Sequence, residues 1–153
     1  MIVSVFSDAS FCSQTGAGGW GGWAKSDRGQ VERGGSLVEK VWDANQAEFL
    51  AAINAIHMAL VSGVAQRLDR ILIQSDSQYV GHILNSPTKF ADYRPVPIQK
   101  GLDHLFRLKA NYMIYVEYRH VKGHMGTSTP RNAVNTRCDA LARQGMLDAR
   151  ARR

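Results

Sequence analysis

The sequence predicts an α/β fold built on a five-stranded mixed sheet, three antiparallel strands then two parallel, flanked by helices. Three observations carry that expectation. The amino-terminal part reads as short β-rich runs separated by turn signals. The following stretch switches to a helical period. From there strand-like and helix-like patterns alternate.

Ile2 to Ser7 is a β-rich run that ends at Asp8. The Gly-rich stretch from Gly16 to Gly22 leads into Trp23 and Ala24, and Val31 to Val38 follows the turn signal Asp27-Arg28-Gly29. These three segments read as an antiparallel meander. From Asn45 to Ser62, Phe49, Ile53, Ile56 and Leu60 recur at 4-3-4 spacing beside Ala52, Ala55 and Ala59, which predicts an amphipathic helix stopped by Ser62-Gly63. Ile71-Leu72-Ile73 is a short apolar strand of the kind buried on both faces, ending at Asp76. Ser77 to Leu84 reads as helix. Pro87 to Pro97 holds three of the four prolines and reads as an irregular connection. Ile98 to Leu108 is a second amphipathic helix with Leu102, Leu105 and Phe106 inward. Tyr112 to Tyr118 is a strand, a Gly-containing loop carries His124 and Gly126, and Asn135 to Ala149 is the last helix. Right-handed crossovers set the helices against the sheet faces.

A chain of 153 residues with 44% hydrophobic and 21% charged residues is one globular domain of ordinary size, read as residues 1–149 with a basic tail at 150–153. Its opening residues read as a strand and not as a signal peptide, and no apolar run approaches the ~20 residues of a membrane helix. Cys12 and Cys138 form neither a disulfide framework nor a metal spacing, so a cytoplasmic location is expected. A monomer is expected as well. Three of the charges behind the net +6 are Arg150, Arg152 and Arg153, an end read as solvated. Charge alone points only weakly to a polyanionic partner.

Four carboxylates stand out by position. Asp8 and Asp76 close strands, where ligand sites of open α/β sheets form. Glu48 is placed in the first turn of its helix, near a row of alanines that permits close approach to the sheet. Asp139 is placed early in the last helix. Each has a plainer explanation: Glu48 and Asp139 would complement helix N-termini, and Asp76 would cap the helix after it. Those explanations leave open why acids from four elements aim at one sheet end. Crowded together they repel and need cations between them. An all-oxygen ligand set suits Mg²⁺, with Mn²⁺ as substitute, and argues against Zn²⁺. Two such ions about 4 Å apart suit in-line phosphoryl transfer.

Five stretches then fall in one order: Ser7-Asp8-Ala9-Ser10, Asn45-Gln46-Ala47-Glu48, Ser75-Asp76-Ser77-Gln78-Tyr79-Val80, Val121-Lys122-Gly123-His124, and Asn135 through Arg143. In these the chain resembles type 1 ribonuclease H over nearly its whole length. The resemblance implies a ribonuclease H-like fold and cleavage of the RNA strand of RNA–DNA hybrids, leaving 5′-phosphate and 3′-hydroxyl ends. It makes Asp8, Glu48, Asp76 and Asp139 the ligands of two Mg²⁺ ions. It puts His124 on a loop beside the site, to assist proton transfer or product release. It places Asn45 and Gln78 in the minor groove of the hybrid, with Ser10, Gln14 and Asn135 as further substrate contacts. His57, His82, His104 and His120 stay structural, and at least two of Trp20, Trp23 and Trp42 are expected to pack rather than stack on nucleotides.

The chain also departs from the family pattern. Ala9 stands where glycine is usual, and Asp43 and Ala44 where threonine and asparagine are. The basic substrate-gripping protrusion is shortened, leaving Lys89, Arg94 and Lys100, and the segment Thr127 to Arg131 lengthens the loop after His124. Two competing readings are an exonuclease on the same sheet and a degenerate homologue that binds nucleic acid without cutting it.

Overall fold

A computed structural model describes residues 1–86, 94–121 and 130–152, the backbone alone at 130–132. The strands are β1 (Ile2–Phe11), β2 (Gly18–Ser26), β3 (Gly29–Ser36), β4 (Arg70–Ser75) and β5 (Tyr115–His120). The helices are α1 (Ala44–Val61), α2 (Gln78–Asn85), α3 (Val96–Tyr112) and α4 (Pro130–Ala151). The sheet order is β3-β2-β1-β4-β5, with β1–β2 and β2–β3 antiparallel and β1–β4 and β4–β5 parallel. This is the five-stranded mixed sheet read from the sequence.

Alternation along β1 divides the core. Val3 and Val5 join the large cluster under α1, α2 and α3, whereas Phe6 packs with Cys138 and Val134 of α4 and with Val121. The sheet is therefore covered by three helices on one face and by α4 on the other. β1 pairs with β4 only from Ile2 to Phe6, but with β2 as far as Phe11. Past Phe6, then, β1 parts from its parallel neighbour, and a crevice opens at the carboxyl ends of the two strands.

Several boundaries differ from those read in the sequence. β1 runs three residues beyond Asp8, because residues 7–11 keep β2 as partner after leaving β4. α1 is not amphipathic. Its apolar side meets the sheet, but Leu50 and Phe49 also pack under α3, where a Cβ at Gly101 would lie 2.7 Å from Phe49. α3 begins at Val96, with Pro97 inside its first turn, and it continues through Tyr112, which the sequence assigned to a strand. α4 begins at Pro130, not near Asn135, and runs on through Arg150 to Ala151. Proline is tolerated in the first turn of a helix, where its missing N–H has no partner to lose. Trp20 and Trp23 pack as expected, Trp23 edge-on to Phe6 at 5.6 Å, while Trp42 is exposed.

Candidate active site

The crevice between β1 and β4 collects the acids. Asp8 lies on β1 just past the last β1–β4 pair, and Asp76 follows the last residue of β4. Glu48 comes from the start of the second turn of α1. One carboxylate oxygen from each of the three lies within 4.8 Å of the others. Asp139 comes from α4 on the opposite face, and its charge helps to raise the Asp8 carboxyl. Three of the four acids read from the sequence form one group, and Asp139 stands outside it, near enough to add to the charge at Asp8.

The plainer explanations fail on the structure. α1 and α4 have no acid in their first turns, Glu48 lying one turn and Asp139 more than two turns inside. The N-cap of α2 is Ser77, not Asp76. The cap of α1 is Asp43, whose Oδ1 accepts from Gln46 N at 2.8 Å, while Gln46 Oε1 accepts from Trp42 N at 2.8 Å.

Local structure explains how each acid is held. Ala9 continues the strand opposite Trp20 and donates its N–H to Asp8 Oδ1 at 2.9 Å, so alanine suits a position where the family has glycine. The turn bearing Asp76 is tied to β5. The Tyr118 hydroxyl lies against the Ser75 and Ser77 carbonyls, and His120 Nε2 donates to the Asp76 carbonyl at 3.2 Å. Asp139 is delivered by glycines that the sequence reading placed only in a strand of the meander. Gly21 pairs with Asp8 across the ladder, and a Cβ there would sit 2.1 Å from the Cys138 carbonyl oxygen. Gly19 makes the same approach to Ala142 at 2.0 Å. With backbone against backbone, α4 comes close enough for the residue after Cys138 to add to the charge at Asp8. The signal was alternate glycines on one face of a strand, legible only once a helix is known to cover that face.

Electrostatics follows from crowding. Burial first, then the Asp76 and Asp139 charges, raises the Asp8 carboxyl to about 7. Burial and the charges of Asp8 and Asp76 raise Glu48 to about 9. Glu48 Oε2 is buried and has no hydrogen-bond partner among the described residues. A carboxylate with one oxygen buried and unpartnered, grouped with two other carboxylates, is a poor arrangement for protein alone and a fitting one for a divalent cation. The donor set, oxygen only, agrees with that fit.

Of the expected substrate contacts, Ser10 lies two residues beyond Asp8 and hence on the same face of β1, and Gln14 is exposed in the turn after that strand. Asn45 and Gln78 are exposed in the first turns of α1 and α2, and Asn135 is half-buried on α4, one turn before Asp139. Lys100 is paired with Glu39 at 3.1 Å, so it is not an unencumbered substitute for the lost protrusion. His124 and Lys89 lie outside the described residues, as does the Arg131 side chain. Among the described residues no helix is long and apolar enough to cross a membrane.

Fold and site together define a class: a mixed-sheet α/β protein with an acidic cluster at its strand ends that fits a divalent cation. The family model described as RNase H matches residues 1–147. Ribonuclease H of Phenylobacterium zucineum is 31% identical over 162 residues, covering 99% of this chain and 94% of that protein. That of Afipia carboxidovorans is 30% identical, covering 97% and 95%. RNase H1 of Halobacterium salinarum superposes with TM-score 0.68 at 25% identity, covering 97% of this chain and all of that one. LC11-RNase H1, solved in complex with RNA/DNA hybrid, superposes with TM-score 0.68 at 16% identity over 96% of this chain, a likeness of fold. The chain belongs to the ribonuclease H family and is a hydrolase of that family.

Proposed function

We propose that the chain is an endoribonuclease that cuts the RNA strand of RNA–DNA hybrids with two Mg²⁺ ions, leaving 5′-phosphate and 3′-hydroxyl ends. The observation that carries the reading is the Glu48 carboxylate, which is grouped with Asp8 and Asp76 and has its Oε2 buried without a partner. Family membership and the hybrid bound by LC11-RNase H1 support the substrate.

Asp8, Glu48, Asp76 and Asp139 would hold the ions; bound there, divalent cations lower the pKa of a coordinated water and offset charge on a phosphodiester. Ser10, Gln14, Asn45 and Gln78 orient the hybrid through its minor groove, where 2′-hydroxyls distinguish RNA from DNA, and Asn135 adds a further substrate contact. Water attacks phosphorus, the bond to the 3′-oxygen breaks, and that oxygen takes up a proton. His124, with an imidazole pKa near neutrality, exchanges that proton or eases product release. Residues 1–149 form the catalytic unit, acting as a monomer in the cytoplasm.

Cleavage of an end-labelled hybrid with Mg²⁺, abolished by EDTA and absent on single-stranded DNA, is the test. Cleavage insensitive to EDTA would overturn the metal assignment. His124→Ala should lower turnover by about 10²-fold without abolishing it, since acid–base groups contribute ~10²–10⁴-fold. A variant matching wild type across neutral pH would remove His124 from the mechanism.

A further inference from the structure

The geometry points to a second metal site, formed by His57 of α1 and His104 of α3, that takes a borderline divalent cation such as Zn²⁺ or Ni²⁺ and ties the two helices together. It lies apart from the acids, because His57 follows Glu48 by nine residues on α1, about 14 Å at ~1.5 Å per residue. No step of the proposed cleavage uses it.

Two imidazoles meet where α1 and α3 pack. His57 Nδ1 lies 3.0 Å from His104 Nε2, with ring centroids 5.0 Å apart and planes at 58°. Two nitrogens held by one Zn²⁺ at about 2.0–2.1 Å are about 2.9 Å apart at a right angle and about 3.3 Å apart at the tetrahedral angle. The pair is therefore set at the bite of a single ion, and neither helix has to move. Packing fixes that spacing. Gly101, one turn before His104, lets α3 come down on α1, a Cβ there falling 2.7 Å from the Phe49 ring. Ile53, Ile56, Leu105 and Leu108 beside the histidines are buried. His57 is exposed and His104 half-buried, so an ion reaches the pair from solvent and keeps water in its remaining positions.

A hydrogen bond between the rings is the other explanation, and it accounts poorly for the arrangement. At an exposed edge such a bond only replaces one to water, and it needs one ring neutral as acceptor. The surroundings favour the neutral form that a metal binds. Burial first, then the charges of His57 and Arg107, lowers the His104 pKa. α1 carries no titratable group besides Glu48 and His57. On α3, Lys100, Asp103 and Arg107 line a cavity of about 400 Å³ together with His104, and Lys100 pairs with Glu39, before α1, at 3.1 Å. Charge beside the pair thus balances, and neither sign excludes a cation. The donor set then chooses the ion: imidazole nitrogen suits Zn²⁺, Ni²⁺ and Cu²⁺, whereas Mg²⁺ prefers the oxygens of the acids. Among the described residues no third His, Cys or carboxylate joins the two rings within metal-ligand reach, so the site is open and its ion exchangeable.

The test is calorimetric titration of the untagged protein with Ni²⁺ in excess Mg²⁺ at pH ~7.5, above the ordinary imidazole pKa of ~6.5. Wild type should show a Ni²⁺ site that His57→Gln or His104→Gln weakens by more than about tenfold, since losing even a group that only supports a ligand costs about 10–100-fold. Asp8→Asn, which alters the acids, should leave that site intact, as should His82→Gln, which removes an imidazole elsewhere. One equivalent of Cu²⁺ should give an electron paramagnetic resonance spectrum coupled to two nitrogens in wild type and to fewer in either His variant. Ni²⁺ should raise the melting temperature of wild type several degrees more than that of either His variant. That difference should vanish near pH ~5.5, where protons displace the metal. Cleavage of hybrid in Mg²⁺ should be unchanged in His57→Gln. Equal Ni²⁺ affinity in wild type and both His variants would overturn the site, as would binding lost in Asp8→Asn and kept in the His variants. Binding without the added rise in melting temperature would overturn the tie between the helices.

Discussion

Two aspartates bracket strand β4, and their surroundings are opposite. Asp69, just before the strand, is buried and satisfied. Arg28 Nη1 and Nη2 donate to its two oxygens at 2.6 and 3.3 Å, Gln66 N donates at 2.8 Å, and the amino terminus lies 3.7 Å away. Arg28 before all else holds its carboxyl below the usual carboxylate range. Asp76, just after the strand, faces Asp8 and Glu48, both raised well above that range. One end of the strand keeps its charge because the protein supplies the partner. The other leaves its charges to each other, which serves no structural purpose and suits a ligand the protein does not contain.

The largest expected effect lies at the unsatisfied end. Asp8→Asn should reduce turnover by more than about 10³-fold, because a neutral amide cannot replace a carboxylate shared between ions. The fold should be no less stable, since one repulsive charge is gone. Turnover within about tenfold of wild type would break the contrast between the two ends. Gly21→Ala comes next. The new methyl would collide with the Cys138 carbonyl, which is backbone and cannot swing aside, so α4 and Asp139 must shift. Misplacement by about 1 Å costs on the order of 10²-fold in rate. A kcat equal to wild type in a folded variant would show that close approach of α4 does not position Asp139.

At the satisfied end the effect should be on stability. Asp69→Asn leaves the Arg28 guanidinium without its carboxylate and should cost about 2–4 kcal/mol, less than a fully buried pair because Arg28 is partly exposed. Activity at low temperature should persist. The pH dependences have opposite signs. Asp69 has a depressed folded pKa, so its contribution is present above its unfolded pKa of ~3.9 and is lost as pH falls through the folded value. Asp8 and Glu48 have raised folded values of about 7 and about 9, so they bind protons more tightly folded than unfolded. Without metal, stability should fall as pH rises from ~4 to ~9, and added Mg²⁺ should flatten that decline. Thermal melts across pH in EDTA and in Mg²⁺ check both arms; a flat metal-free profile on the alkaline side would contradict the crowding.

The order of elements and the four acids were legible in the sequence because both are written in period and position. Strands that end in Asp8 and Asp76 point at a sheet end whatever their exact boundaries. The helix starts were not legible, for one physical reason. Pro97 and Pro130 read as chain breaks, yet each lies in a first turn, where the missing N–H costs nothing. Correcting the start of α4 moved Asp139 from a place where the helix dipole explains it to one where only the site does. What holds the acids was also illegible. Gly19 and Gly21, Tyr118 and His120 act through elements distant in sequence, and no local pattern announces such contacts.

Asp43 gives the smallest and most discriminating test, because it is a carboxylate near the functional end that behaves like Asp69. It stands where the family usually has threonine; in the structure it accepts from Gln46 N at the start of α1. Asp43→Ala should therefore cost about 1 kcal/mol, the usual loss of a cap. Asp43→Asn keeps the cap while removing the charge, so it should cost less than about 0.5 kcal/mol. The pair separates the two roles. A charge that opposes substrate predicts a lower KM for hybrid in both variants, with a steeper salt slope, because one repulsive contact has gone. A residue that only caps predicts a KM unchanged in Asp43→Asn and a melting temperature lowered in Asp43→Ala alone. The position next to Trp42, with Lys40 Nζ 5.4 Å from that ring, favours the first outcome for KM and the cap favours the second for stability, so Asp43→Asn should bind hybrid more tightly while melting almost as wild type does.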